Sequence, residues 1–377
     1  MPWPVTRRSW SITIRTPTRA PTTPPTRCPA PSFLSRVWGH RDAGYYLSIA
    51  QYGYAGRVVG HGQAAGGIAF APLYPAGIRV VHALTPLGWL ASAELLSAAA
   101  LFVSLAALHR LATIHGGREV GSASVTMLLV FPTAFFLLAP YPESLCLAFV
   151  TLALVSAESE RWLLAGVLTA AAAMTKYYMV VLAVALCVEL WNRRSTGDGA
   201  RPARGRFDEL APYLQVTAPS VAVFAAWMLY QRFHLGSALA FAHAQSSTWH
   251  RHLAAPWYLA YRTGYDLVHL RFLDTSVASV TELFDVVSVL LLGVAAVYLY
   301  LRTSRALGVL LGLAFCVFTF QSFLLGVTRE VLVLSPLFLA LGTWTAGRRW
   351  LERTLLVLFI PCGYFLIQRF VTGSFAG

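Results

Sequence analysis

Lysine is almost missing from this chain of 377 residues: Lys176 stands alone against 28 arginines. Acids are scarce as well, with 16 Asp and Glu in all, so charged residues reach only 12%. An ordinary globular domain carries about twice that share. The shortage excludes a soluble domain with a solvated, charged surface. The bias from Lys to Arg, beside abundant Ala, reads as codon usage in a GC-rich genome. Cysteine forms no CxxC or paired pattern among its five copies. Cys146, Cys187, Cys316 and Cys362 fall in apolar runs and Cys28 in a Pro-rich leader, so buried small hydrophobes are the default. No apolar signal-peptide core appears before residue 31, and no internal repeat is visible.

Apolar residues supply what is there, at 57% of the chain with a mean hydropathy of +0.60. Runs long enough to cross a ~30 Å hydrocarbon layer recur from residue 92 to residue 372. The net charge of +13 raises nucleic acid as a partner. But the arginines lie in short stretches between apolar runs and not on one basic face, which excludes that reading. The expected fold is all-α, a polytopic membrane protein of about ten transmembrane or re-entrant helices. Spans are expected at 92–113, 120–139, 141–158, 162–175, 177–191, 213–231, 280–301, 305–326, 331–346 and 354–372. The short ones suit broken or re-entrant helices inside the bundle. Residues 1–31 read as a disordered Pro/Thr/Arg-rich leader, and 32–377 as one transmembrane domain. Ile68–Leu90, broken by Pro72, Pro75 and Pro86, reads as interfacial or partly inserted helix.

Short-loop arginines set the orientation. If the loop 192–209 is cytoplasmic, alternation places Arg110 and Arg118, Arg161, Arg302 and Arg305, and Arg348, Arg349 and Arg353 on the same side. The exoplasmic side then receives 36–67, the Pro140–Glu143 turn, Lys176, the loop 232–279 and Thr328–Glu330. Because no span precedes residue 68, an upstream span lost to a misassigned start is expected.

The chemistry gathers on that second face. Asp42 is the only carboxylate before Glu94 and stands among Arg41, Tyr45 and Tyr46. It reads either as a solvated acid in an interfacial aromatic belt or as a general base at the membrane surface. Glu143 closes the turn Ala-Pro-Tyr-Pro-Glu and is a candidate second carboxylate. A cation such as Lys176 at the edge of hydrocarbon snorkels, pairs or binds an anion. Arg329 and Glu330, flanked by apolar residues, are a candidate neighbour pair. His243, Gln245, Trp249 and Arg251 lie in a stretch rich in hydrogen-bonding groups, as a sugar site would be. His250 and His252 lack a third clear ligand, so no metal is expected.

These motifs resemble a known family. Arg41-Asp-Ala-Gly-Tyr-Tyr-Leu-Ser-Ile-Ala-Gln-Tyr-Gly-Tyr54 is similar to the W-D-A-x-x-Y-L-x-I-A-x-x-G-Y signature of the GPI mannosyltransferase II (PIG-V-like) family, bacterial branch. Phe70–Pro75, Phe131–Ser144, Thr175-Lys176, Phe241–Gln245 with Trp249 and Arg251, and the Arg329 segment follow in the family's order over 39–340. His40 and Arg41 stand where relatives show Arg-Trp, Glu330 replaces a Tyr, and the family's first helix is absent. The resemblance implies a GT-C-type glycosyltransferase of the plasma membrane, with its active face exoplasmic. It implies an inverting transfer of mannose from polyprenyl-phosphate mannose to a glycolipid, lipoglycan or protein, with no other cofactor. By position, Asp42 would be the catalytic carboxylate, with Glu143 as the alternative, and Lys176 and Arg329 would meet the donor phosphate. Arg41, Tyr45, Tyr46, His243, Gln245, Trp249 and Arg251 would bind substrate. The rival readings are a transporter or flippase of a lipid-linked substrate, or an inactive remnant. The one-sided polar residues and the lack of repeated halves favour the enzyme.

Overall fold

A computed structural model of the chain describes residues 39, 41–54, 64–196, 206–269, 277–324 and 326–372. The leader 1–31, Cys28, His40, Arg201 and Arg204 lie outside the described residues.

Where water is excluded, a backbone must satisfy its own polar groups, and a helix does so within one segment. The described residues accordingly form helices, and their only bridge is the antiparallel pair Leu253–Gln321. The principal helices are α1 (Asp42–Tyr52), α2 (Leu73–Leu84), α3 (Trp89–Val130), α4 (Glu143–Glu158), α5 (Trp162–Thr175), α6 (Val181–Ser195) and α7 (Arg206–His234). They continue with α8 (Ala240–Ser247), α9 (Pro256–Val268), α10 (Val277–Arg302), α11 (Arg305–Thr319), α12 (Ser335–Thr345) and α13 (Arg349–Val371). Glycine breaks α3 at Gly117, where φ is 85°, a region closed to most side chains. That break separates the two expected runs on either side of residues 114–119.

Among the described residues four helices are long and apolar enough to cross a membrane: Trp89–Val130, Asp208–His234, Thr281–Arg302 and Arg349–Val371. The pair Val327–Val333 and Ser335–Thr345 makes a fifth if its 87° bend is counted within one span. Exposed apolar side chains, among them Phe102, Val221, Leu290 and Val357, stud the outer faces of these helices. Such a surface suits lipid and not water. Helices α4 and α5, with 16 and 14 residues, reach only about 21–24 Å at 1.5 Å per residue. Short 3₁₀ turns at Ala134–Leu137 and Tyr177–Val180 adjoin them. The run expected at 305–326 ends as helix at Thr319, and the loop 232–279 contains α8 and α9.

At the centre lies α12, whose residues Ser335–Leu341 are all buried. Helix α3 packs along it, with α4 on α3, α5 on α4 and α7 on α5. Two glycines permit the closest crossings. A Cβ at Gly166 would fall on the Gln215 carbonyl oxygen, and one at Gly342 on the Ser124 hydroxyl. Small residues at helix crossings are how apolar bundles gain contact without a hydrophobic driving force between helices.

At one end of the bundle Glu158 lies 3.1 Å from His115 Nε2, an ion-pair distance without hydrogen-bond geometry, and accepts from Arg193 Nη2 at 2.6 Å, while Arg193 Nε donates to Glu189 at 2.7 Å. Three turns given one face by their arginines therefore meet in space.

Candidate functional site

Helix α1 opens on Asp42, a position where an acid favours the helix dipole, directly after Arg41, whose φ of 56° is rare for a side chain of its size. Tyr46, Ile49 and Ala50 bury one side of α1. Arg79 of α2 holds its far end, with Nε donating to the Ala50 carbonyl at 2.8 Å. Lys176 follows the last turn of α5 in extended backbone. Arg329 and Glu330 lie on a single helical turn, Val327–Glu330, entered through Gly326 in the left-handed region at φ 75°. Asp285, buried within α10, fixes that turn. Its Oδ1 accepts the Thr328 N–H at 2.7 Å and hydroxyl at 2.8 Å, and its Oδ2 accepts the Gly326 N–H at 2.9 Å. Thr133 clamps the same turn by donating to the Thr328 carbonyl at 2.7 Å.

These elements converge on one network of five charges. Lys176 Nζ donates to Glu143 Oε1 at 3.1 Å and to Glu330 Oε2 at 2.7 Å. Arg329 Nη1 donates to Asp42 Oδ2 at 2.9 Å. Its Nε lies 3.3 Å from Glu143 Oε1, an ion pair without hydrogen-bond geometry, and its Nη2 is 3.5 Å from Glu330 Oε1. The Arg329 guanidinium also lies 5.3 Å from the ring centroids of both Phe136 and Tyr141, in cation–π range. Tyr178 donates its hydroxyl to Glu330 Oε2 at 2.8 Å. Three carboxylates face two cations, so the network carries one excess negative charge when all five are ionised.

A cavity of about 390 Å³ adjoins this network, with Asp42, Tyr46, Lys176, Arg329 and Glu330 in its lining. Gln245, Trp249, Arg251, His252 and Leu253 line it too, with Phe70, Tyr177, Phe241 and Phe318 among its apolar residues. The segment 251–254 is clasped to 320–322 by backbone bonds: the Ala254 N–H donates to Phe320 at 3.2 Å and the Ser322 N–H to His252 at 3.1 Å. Trp249 donates its indole N–H to the Gly66 carbonyl at 3.3 Å.

Of the residues singled out from sequence, Asp42, Tyr46, Lys176, Gln245, Trp249, Arg251 and Arg329 line this cavity. Glu143 is fully buried beneath it, bridging both cations and not facing the opening. Tyr45 packs behind the wall, 5.2 Å from Phe70 and 5.7 Å from Trp249 between ring centroids. Arg41 and His243 are exposed and outside the lining. Arg329 and Glu330 are more than a neighbour pair, for their mutual contact is the longest in the network. Sequence reasoning missed Tyr178 and Asp285. For Asp285 the signal was there, an acid inside an apolar run, which in a membrane is costly and marks a role. Among the described residues no three His, Cys, Asp or Glu side chains form a group able to hold a metal ion.

No family model matches this chain, and neither a curated protein nor a solved structure gives a significant match.

Proposed function

We propose that the protein is a membrane glycosyltransferase of GT-C type, transferring mannose from polyprenyl-phosphate mannose to an exoplasmic glycolipid, lipoglycan or protein. The observation that carries the reading is the meeting of Asp42 with Lys176 and Arg329 at one cavity, in a chain whose motifs resemble the PIG-V-like family. In this reading the chain crosses the plasma membrane about ten times, the short helices included, and the cavity faces outward.

The chemistry is an inverting displacement. Asp42 takes the proton of an acceptor hydroxyl, and that oxygen bonds to the anomeric carbon from the face opposite the phosphate. The bond from the anomeric carbon to the phosphate oxygen breaks, and the electron pair leaves with the polyprenyl phosphate. Negative charge grows on that phosphate as the bond lengthens, so cations fixed at the cavity floor favour the transition state over the ground state. Glu143, shielded below, holds the two cations in place and takes no proton from the acceptor. The apolar cavity wall and the lipid around the bundle suit a donor with a long hydrocarbon tail.

The test is transfer from radiolabelled polyprenyl-phosphate mannose in membranes containing the full chain. Label appearing in a lipid or protein acceptor, with loss of that label in Asp42→Asn, is the expected result. Movement of intact donor across the bilayer without transfer would replace this reading with that of a flippase.

A further inference from the structure

We infer that α9 (Pro256–Val268) is an in-plane anchor that beds an aromatic face in the headgroup boundary of the bilayer. Leu259 and Thr263, one turn apart, are its buried side. At 3.6 residues per turn, Trp257, Tyr258, Tyr261, Tyr265 and Val268 fall within an arc of about 100° on the opposite side. All five are exposed, Trp257 at 77%, Tyr261 at 73% and Val268 at 79%. Arg262 sits at the edge of that arc and turns to the protein. Its Nη1 donates to the Ser322 carbonyl at 3.3 Å, and its guanidinium lies 5.7 Å from the Phe323 ring centroid. Four rings gathered on one exposed face mark an interaction surface. Trp and Tyr join an apolar body to a polar tip, the combination that collects where hydrocarbon meets headgroups.

The place of α9 in the chain puts it at that boundary. Helices α7 and α10 are both long enough to span, so residues 235–276 leave and return on one face of the membrane. Helix α11 packs back along α10 from Arg305, so its end at Thr319 reaches the same face. The clasp of 251–254 to 320–322 and the Arg262 bond to Ser322 tie α9 to the end of α11. Its 13 residues rise only about 20 Å, too little to span, and a helix with such a face at such a place lies in the interface plane. Leu253, three residues before the helix, lines the cavity and is 88% exposed, so the cavity meets the surface beside the anchor. Under the transferase reading, a donor with its hydrocarbon tail in the leaflet finds that edge at the level of its own phosphate.

The experiment places nitroxide labels on single cysteines in the full chain, on a background lacking the native ones, in nanodiscs of zwitterionic lipid. Collision with oxygen, which concentrates in lipid, and with a water-soluble nickel chelate reads the depth of each label. Oxygen access relative to nickel should be several-fold higher at Tyr258→Cys and Tyr261→Cys than at Ala260→Cys, a position that is exposed but off the arc. Equal nickel access at all three would put α9 in water and overturn the inference. Exclusion of both reagents at Tyr261→Cys would give the face to protein, a second copy if the labels couple, and overturn it too. A measurement without labels compares wild type with Trp257→Phe: the emission lost in the variant should be emission that lipids brominated near the head end of their chains quench. The same quenched emission in both proteins would overturn the anchor. Transfer from radiolabelled donor is read separately, so a failed anchor leaves the transferase reading standing, and a failed transfer leaves the anchor.

Discussion

Arg329 donates to Asp42 at 2.9 Å across 287 positions of chain, so the candidate base and a candidate phosphate cation are each other's partner. Asp42 is thus not a solvated acid in an aromatic belt. Its carboxylate is aimed by a guanidinium that Asp285 and Thr133 hold from behind through the backbone of residues 326–328.

Asp42→Asn preserves size and one acceptor but removes basicity. Transfer should drop by a factor of roughly 10² or more, the scale of general-base catalysis, while the protein still inserts and melts near the wild-type temperature. Near-normal turnover would shift the role of base to another group lining the cavity.

Glu143 gives a contrast between two substitutions. Glu143→Ala leaves a void where Lys176 and Arg329 share an acceptor, and breaking a buried pair this way costs about 3–5 kcal/mol. Glu143→Gln brings the network to the same neutrality as Glu143→Ala but fills the space and keeps an amide oxygen that can accept from Lys176, so it should cost much less. Thermal unfolding in detergent reads both. Equal midpoints for the two variants would mean that the bridge contributes little.

Asp285→Ala would strand the Gly326 and Thr328 amides and the Thr328 hydroxyl, each a buried donor worth about 1–3 kcal/mol when unsatisfied. Amide hydrogen exchange at 326–330 should rise, and exchange at Glu158–Arg161 should not. Asp285→Asn, which keeps one accepting oxygen, should fall between. Unchanged exchange in Asp285→Ala would remove Asp285 from the support of Arg329.

Orientation is checked with single cysteines on a background lacking the native ones. Ser195→Cys and Ser247→Cys both introduce a thiol at an exposed position. In intact cells a membrane-impermeant reagent should label the second and spare the first. The opposite pattern would turn the cavity to the cytoplasm.

The sequence exposed the charged residues well because each interrupts an apolar run, where an ionisable group is conspicuous. The alternation of short-loop arginines with Asp42, Glu143, Lys176 and Arg329 also put these four together, and they do meet in one network. The pairing was not legible. Lys176 finds its acids 33 and 154 positions away, and nothing local distinguishes a paired lysine from a snorkelling one. Nor did pattern separate Glu143 from Asp42, because their difference is depth. One is fully buried and the other lines the opening, a distinction made by how α4 and α1 pack. Helix ends were misjudged where backbone, not hydropathy, decides, as at Thr319, after which an apolar stretch leaves the helix to join the clasp with 251–254.

The burial of α12 on every side bears on how the chain tolerates change. A helix with one face in lipid accepts apolar swaps at most outward positions and resists them with a 3.6-residue rhythm. Residues 331–341 have no outward face, since each is buried, so a substitution scan there should show intolerance without periodicity. Helix α13 is the opposite, with only Leu366 and Phe370 buried along its 23 residues. Sequence drift in this protein should therefore collect in its last helix, while the segment that carries Arg329 into the core stays fixed in volume at every position.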